Sequence, residues 1–83
     1  MTTKEEIILE SVLEFLRAST DPQGEIMIQR AVQTELATTI TVNELQAVLQ
    51  LANQRNYATG LPSGNGKPRW SISDTGRHYL ANR

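Results

Sequence analysis

The sequence predicts a mostly helical domain with one small antiparallel β-hairpin, an α+β fold occupying residues 1–83 as a single unit. Three observations predict it. Apolar residues recur at helical spacing over residues 8–16 and again over 42–52. Two short runs, 57–61 and 69–72, alternate in the manner of strands around a Gly64-Asn65-Gly66 tip. Ser73 then stands where a closing helix needs a cap.

The first helix is predicted from about Lys4 to Ala18. Thr3 and Glu6 have the spacing of a capping box, in which a hydroxyl and a carboxylate satisfy backbone donors left over at a helix start. Ile8, Leu9, Val12, Leu13, Phe15 and Leu16 sweep an arc of about 160°, wider than one packing stripe needs, and Ile7 lies outside it. Such an arc fits either a helix surrounded by core or one whose edge forms a dimer contact through Ile7, Leu9 and Leu13. Glu10 and Glu14, one turn apart beside Arg17, have no nucleophile or histidine near them in sequence and read as a solvated face.

Pro22 ends that helix, because proline disfavours helical geometry at the residue before it. Residues 25–28 read as a short strand and residues 29–37 as a short helix with Val32 and Leu36 on its buried side. No Ser, Thr, Asp or Asn marks where this second helix should start. Residues 37–40 form the next turn, anchored by Ile40. Thr41 and Glu44 make the second capping box, and Val42, Leu45, Val48, Leu49 and Ala52 form one apolar stripe.

Opposite that stripe lie Asn43, Gln46, Ala47, Gln50, Asn53 and Gln54. Asn and Gln amides donate and accept together, as the major-groove edge of adenine requires, and alanine can rest on a thymine methyl. An uncharged solvated face is the plain alternative. Arg55 suits the negative end of the helix, and Asn56 tolerates the left-handed backbone that ends one. A two-residue Asn65-Gly66 turn pairs Leu61 with Trp70 and Thr59 with Ile72, which puts Tyr57, Thr59, Leu61, Trp70 and Ile72 on the core side. Pro62 and Pro68 open the outer part into a loop, from which Asn65, Lys67 and Arg69 can reach a phosphate backbone. Trp70 is expected in the core with its indole N–H partnered at the edge. Tyr79 and Leu80 should pack back on the first helix, with His78 at the surface.

Charge is unevenly placed. Net charge is −1, but residues 1–40 carry three basic against seven acidic side chains and residues 41–83 carry five against two. The basic half is the half with the hairpin, as suits a protein that turns one end to phosphates. With no cysteine there is neither a disulfide framework nor a thiolate metal site. Gly-Asn-Gly-Lys lacks the spacing of a phosphate-binding loop, and no nucleophile, base or metal constellation can be assembled, so neither an enzyme nor a cofactor is expected. No apolar run could span a bilayer and no signal-peptide pattern opens the chain, so a cytoplasmic protein without membrane contact is expected.

Leu45, Val48, Leu49 and Ala52 on a helix, Arg55-Asn56-Tyr57, the Gly-Asn-Gly-Lys tip, and the run from Trp70 through Ser73-Asp74-Thr75-Gly76-Arg77 to Leu80 resemble the closing half of small bacterial winged helix-turn-helix regulators. The resemblance covers residues 41–80. It implies a three-helix core with a wing and a C-terminal helix, a reading helix at 41–55, a wing at 57–72, and often a homodimer. Two departures stand out: the reading helix carries no central cation, and Asn56 replaces a frequent glycine. The function it implies is a transcriptional regulator that places the reading helix in the major groove of double-stranded DNA, with the wing on backbone or minor groove. The alternative, from the wide apolar face of the first helix, is a winged-helix module that binds a protein partner and no DNA.

Overall fold

The computed structural model describes residues 3–62, 64 and 67–82. Four helices and three short strands follow in the order α1 (Lys4–Ala18), β1 (Gln23–Gly24), α2 (Glu25–Leu36), α3 (Val42–Gln54), β2 (Ala58–Leu61), β3 (Arg69–Ile72) and α4 (Asp74–Ala81). The strands form one antiparallel sheet in the order β1-β3-β2. This is the winged-helix arrangement, with the hairpin β2–β3 as the wing. The added strand β1 makes the sheet three-stranded, and it lies just before the 25–28 run where the sequence suggests a short strand.

Helix α1 is the central strut, packing against α2, α3, α4 and β3. That explains its wide apolar arc: Ile8, Leu9, Val12, Leu13 and Leu16 are all buried, Phe15 is partly so, and Ile7 is exposed. Of Ile7, Leu9 and Leu13, the residues expected at a dimer contact, Ile7 alone is exposed. Leu9 and Leu13 are fully enclosed within the chain and offer nothing to a partner. At the helix start, the Thr3 hydroxyl accepts from the Glu6 N–H. Glu14 pairs with Arg17 at 3.7 Å on the polar side. Ser11 is buried yet satisfied, its hydroxyl donating to Glu35 of α2 at 2.8 Å.

Residues 25–28 are not a strand. The helix starts at Glu25, four residues earlier than the sequence suggests, and Gly24 is its N-cap without any side-chain bond. Ile28 and Val32, one turn apart, supply its buried face, while Ile26 and Met27 point outward. A cap made of backbone alone leaves no residue-type signal, hence the misplaced boundary. The α2–α3 turn passes through Ala37, held left-handed at φ 52°. Two glutamines of α2 fix it: Gln29 Nε2 donates to the Ile40 carbonyl at 2.8 Å, and Gln33 Oε1 accepts from the Ile40 N–H at 2.9 Å. Ile40 itself is buried, as expected.

The hairpin register differs by one residue from the sequence reading. Ala58 lies opposite Ile72 and Gly60 opposite Trp70, so Ala58 and Gly60 share the inner face. Thr59 and Leu61 face outward with Ser71 and Arg69, and both are exposed. A one-residue shift moves every side chain of a strand to the other face. In this register the Trp70 ring lies over Gly60, where an added Cβ would be 3.4 Å from both the indole and Pro68. Tyr57 precedes β2 and is half-buried, stacked on Tyr79 of α4 at 4.6 Å between ring centroids. The expected Asn65-Gly66 turn lies outside the described residues.

Candidate nucleic-acid interface

Helix α3 is aimed by its buried stripe. Leu45, Val48, Leu49 and Ala52 are at most 2% exposed, and this turns Asn43, Gln46, Ala47, Gln50, Asn53 and Gln54 to the surface, all of them exposed. Val42 departs from the expected stripe: in the first turn it lies beyond the core and is exposed. The N-terminus is closed by the complete capping box, with the Thr41 hydroxyl accepting from the Glu44 N–H and the Glu44 carboxylate accepting from the Thr41 N–H, each at 3.1 Å. Lys4 of α1 reaches the same carboxylate at 2.8 Å. The Lys4 ammonium first, and the Thr41 N–H second, hold the Glu44 carboxyl below the usual carboxylate range.

The amide face meets the wing. Gln46 and Gln50 line a groove of about 310 Å³ together with Leu49, Glu25 of α2, and Pro68 and Trp70 of the wing. A second groove of about 450 Å³ lies beside it, between the 21–27 segment on one side and Lys67, Pro68 and Arg69 on the other. Glu25 and Pro68 line both, so the helix face and the basic base of the wing form a continuous surface. The indole N–H of Trp70 is buried and finds no hydrogen-bond partner among the described residues, contrary to the expectation of one at the edge. A buried N–H without a partner has a cost, which is set against burial of the ring in the core.

Of the expected contact residues, the structure gathers Gln46, Gln50, Lys67 and Arg69 around these grooves. Asn43, Ala47, Asn53 and Gln54 are on exposed α3 without lining either groove. Arg55 is the C-cap at the opposite end of α3, close enough to Tyr79 to act on its phenol. Burial, and then the nearby Glu10 carboxylate, nonetheless raise the Tyr79 pKa above the ordinary value. Asn65 lies outside the described residues. The sequence reading missed Glu25, which shares a groove with Gln46 and Gln50, and Ile26 and Met27, which line the neighbouring groove beside Lys67 and Arg69. Among the described residues no group of three or more His, Asp or Glu side chains could hold a metal ion, and no helix is long and apolar enough to cross a membrane.

The sequence matches no family model and is not significantly similar to any curated protein. Solved structures do resemble it. The candidate transcriptional regulator TA0346 from Thermoplasma acidophilum superposes with a TM-score of 0.80 at 16% identity, over 95% of this chain and 76% of that one. The ferric uptake regulator Fur from Helicobacter pylori, whose structure has three functional metal binding sites, superposes with a TM-score of 0.71 at 17% identity. That match covers 87% of this chain and 45% of Fur, so the chain spans less than half of Fur's length. At such identities the likeness shows the fold: this chain is folded as those two regulators are, as a winged helix.

Proposed function

We propose that this protein is a DNA-binding transcriptional regulator that lays α3 in the major groove of a duplex and the wing along the adjacent backbone or minor groove. The observation that carries the reading is the groove shared by Gln46 and Gln50 with Pro68 and Trp70, which joins the amide-bearing helix face to the wing. Gln46 and Gln50 supply bidentate donors and acceptors for base edges, and Lys67 and Arg69 supply charge at the rim for phosphates. The cap at Thr41 orients the first turn, where Asn43 is presented. Arg55 serves at most a flanking phosphate, given its place beyond the far end of α3. With so few cations, affinity is modest and falls with salt at a slope of about −0.9 per phosphate neutralised.

Fluorescence anisotropy with mixed-sequence duplex DNA at low salt tests this. Binding that weakens with salt, and a salt slope that shrinks by about 2 when Lys67→Ala is combined with Arg69→Ala, are the expected results. Absence of binding, or binding indifferent to that pair, removes the reading.

A further inference from the structure

The groove between the 21–27 segment and the wing base has an acidic and apolar side that the DNA reading does not use. One wall carries the carboxylates of Asp21 and Glu25 with the exposed Ile26 and Met27, and the other carries Lys67 and Arg69. Ile26 is 59% and Met27 52% exposed, the two most exposed large apolar side chains of the core-forming type among the described residues, and they are consecutive. Pro22 and Pro68 extend the apolar strip between the charged walls.

We propose that this surface binds a second copy of the chain in a two-fold symmetric dimer. A two-fold interface brings one patch against itself, so it must be self-complementary. Here the acidic wall of one protomer lies over the basic wall of its partner, twice, with Ile26 and Met27 of both chains enclosed between. An apolar centre with a charged rim is the usual anatomy of a specific contact. A chain of this size with a net charge of −1 has little self-repulsion to oppose association. The dimer covers Lys67 and Arg69, so self-association competes with duplex binding; that competition rests on the DNA-binding reading, whereas the dimer itself does not.

Sedimentation equilibrium over a hundredfold range of concentration reads the association, with circular dichroism confirming that each variant is folded. Asp21→Lys combined with Glu25→Lys, and separately Lys67→Glu combined with Arg69→Glu, set like charges against each other in each homodimer and weaken it by at least about tenfold. Mixing the two variants restores opposite charges at both contacts and recovers association. Ile26→Ser with Met27→Ser gives a monomer that binds duplex DNA as well as or better than the parent. A parent chain that is monomeric throughout, or a dimer indifferent to both reversals, overturns the proposal. So does a monomeric parent that loses duplex binding on Ile26→Ser with Met27→Ser, since the groove then belongs to DNA. A dimer that passes the charge-swap test, with no duplex binding even by the Ile26→Ser with Met27→Ser monomer, upholds this inference and removes the DNA reading instead.

Discussion

The two ends of α3 are closed by different physics. At the N-terminus everything is local: Thr41 and Glu44, three residues apart, satisfy each other's backbone donors, and the one contribution from outside is the exposed Lys4 ammonium. At the C-terminus a local closure, with Asn56 N–H donating to the Asn53 carbonyl at 3.1 Å, is joined by contacts from far along the chain. Asn56 takes the left-handed conformation at φ 62°, the Tyr57 N–H donates to the Ala52 carbonyl at 2.8 Å, and the turn is then clamped by α4. The Ser73 hydroxyl donates to the Asn56 carbonyl, the Ser73 N–H to the Tyr57 carbonyl, and Gly76 lies directly against that same Tyr57 oxygen. The helix start is written in four residues, whereas the locally closed helix end is also clamped by a segment some twenty residues later.

The contrast is sharpest at Gly76. A Cβ there would overlap the Tyr57 carbonyl oxygen and come within 2.9 Å of Ile72 Cγ1, and neither backbone nor core can yield cheaply. Gly76→Ala should therefore cost about 3 kcal/mol or more in urea unfolding, with loss of the Tyr57–Tyr79 stack as a change in near-ultraviolet circular dichroism. A cost under 1 kcal/mol would mean that α4 does not clamp the turn at all.

At the other end, Thr41→Ala removes one cap and should cost about 1 kcal/mol, with the urea dependence otherwise unchanged. If it matched Gly76→Ala, the distinction between a local start and a clamped end would fail. Ala37 offers an intermediate case just before α3, since it is left-handed without a side chain that can bond locally. Ala37→Gly should raise stability by about 0.5 to 1 kcal/mol, and Asn56→Gly by less, because asparagine tolerates that conformation better.

The smallest effect concerns pH. The Glu44 carboxyl is held below its ordinary value of 4.5 by Lys4 and the Thr41 N–H. A carboxyl whose pKa is lower folded than unfolded contributes stability that is fully present above the unfolded value and lost as pH falls through the folded one. Unfolding midpoints should thus decline slightly more below pH 4.5 in the parent than in Glu44→Gln, and parallel curves would dissociate the box from the Lys4 contact.

How much of this was legible follows the same division. Helix α1, helix α3 and the start of α4 were placed within a residue because Thr3, Thr41 and Ser73 each write a cap beside an apolar period. The start of α2 was not, since Gly24 caps with its backbone and Ile26 and Met27 look apolar enough for a strand. The hairpin was legible as a hairpin, but its register was not: Tyr57, Thr59 and Leu61 offer a better apolar alternation than Ala58 and Gly60, yet it is Ala58 and Gly60 that share the inner face with Ile72 and Trp70. The candidate interface shares that fate. The amide face of α3 could be read from its 3.6-residue period, but not the neighbours it would have.

What the sequence determined alone is therefore the set of elements, their caps and the exposed amides of α3, because each depends on residues within about one helical turn of one another. The tertiary structure alone decided the strand register, the clamp of α4 on Tyr57, the burial of Leu9 and Leu13, and the meeting of α2's first turn with the wing. Those depend on which volumes fit together across twenty to fifty residues of chain, and short-range spacing carries no record of shape at that distance.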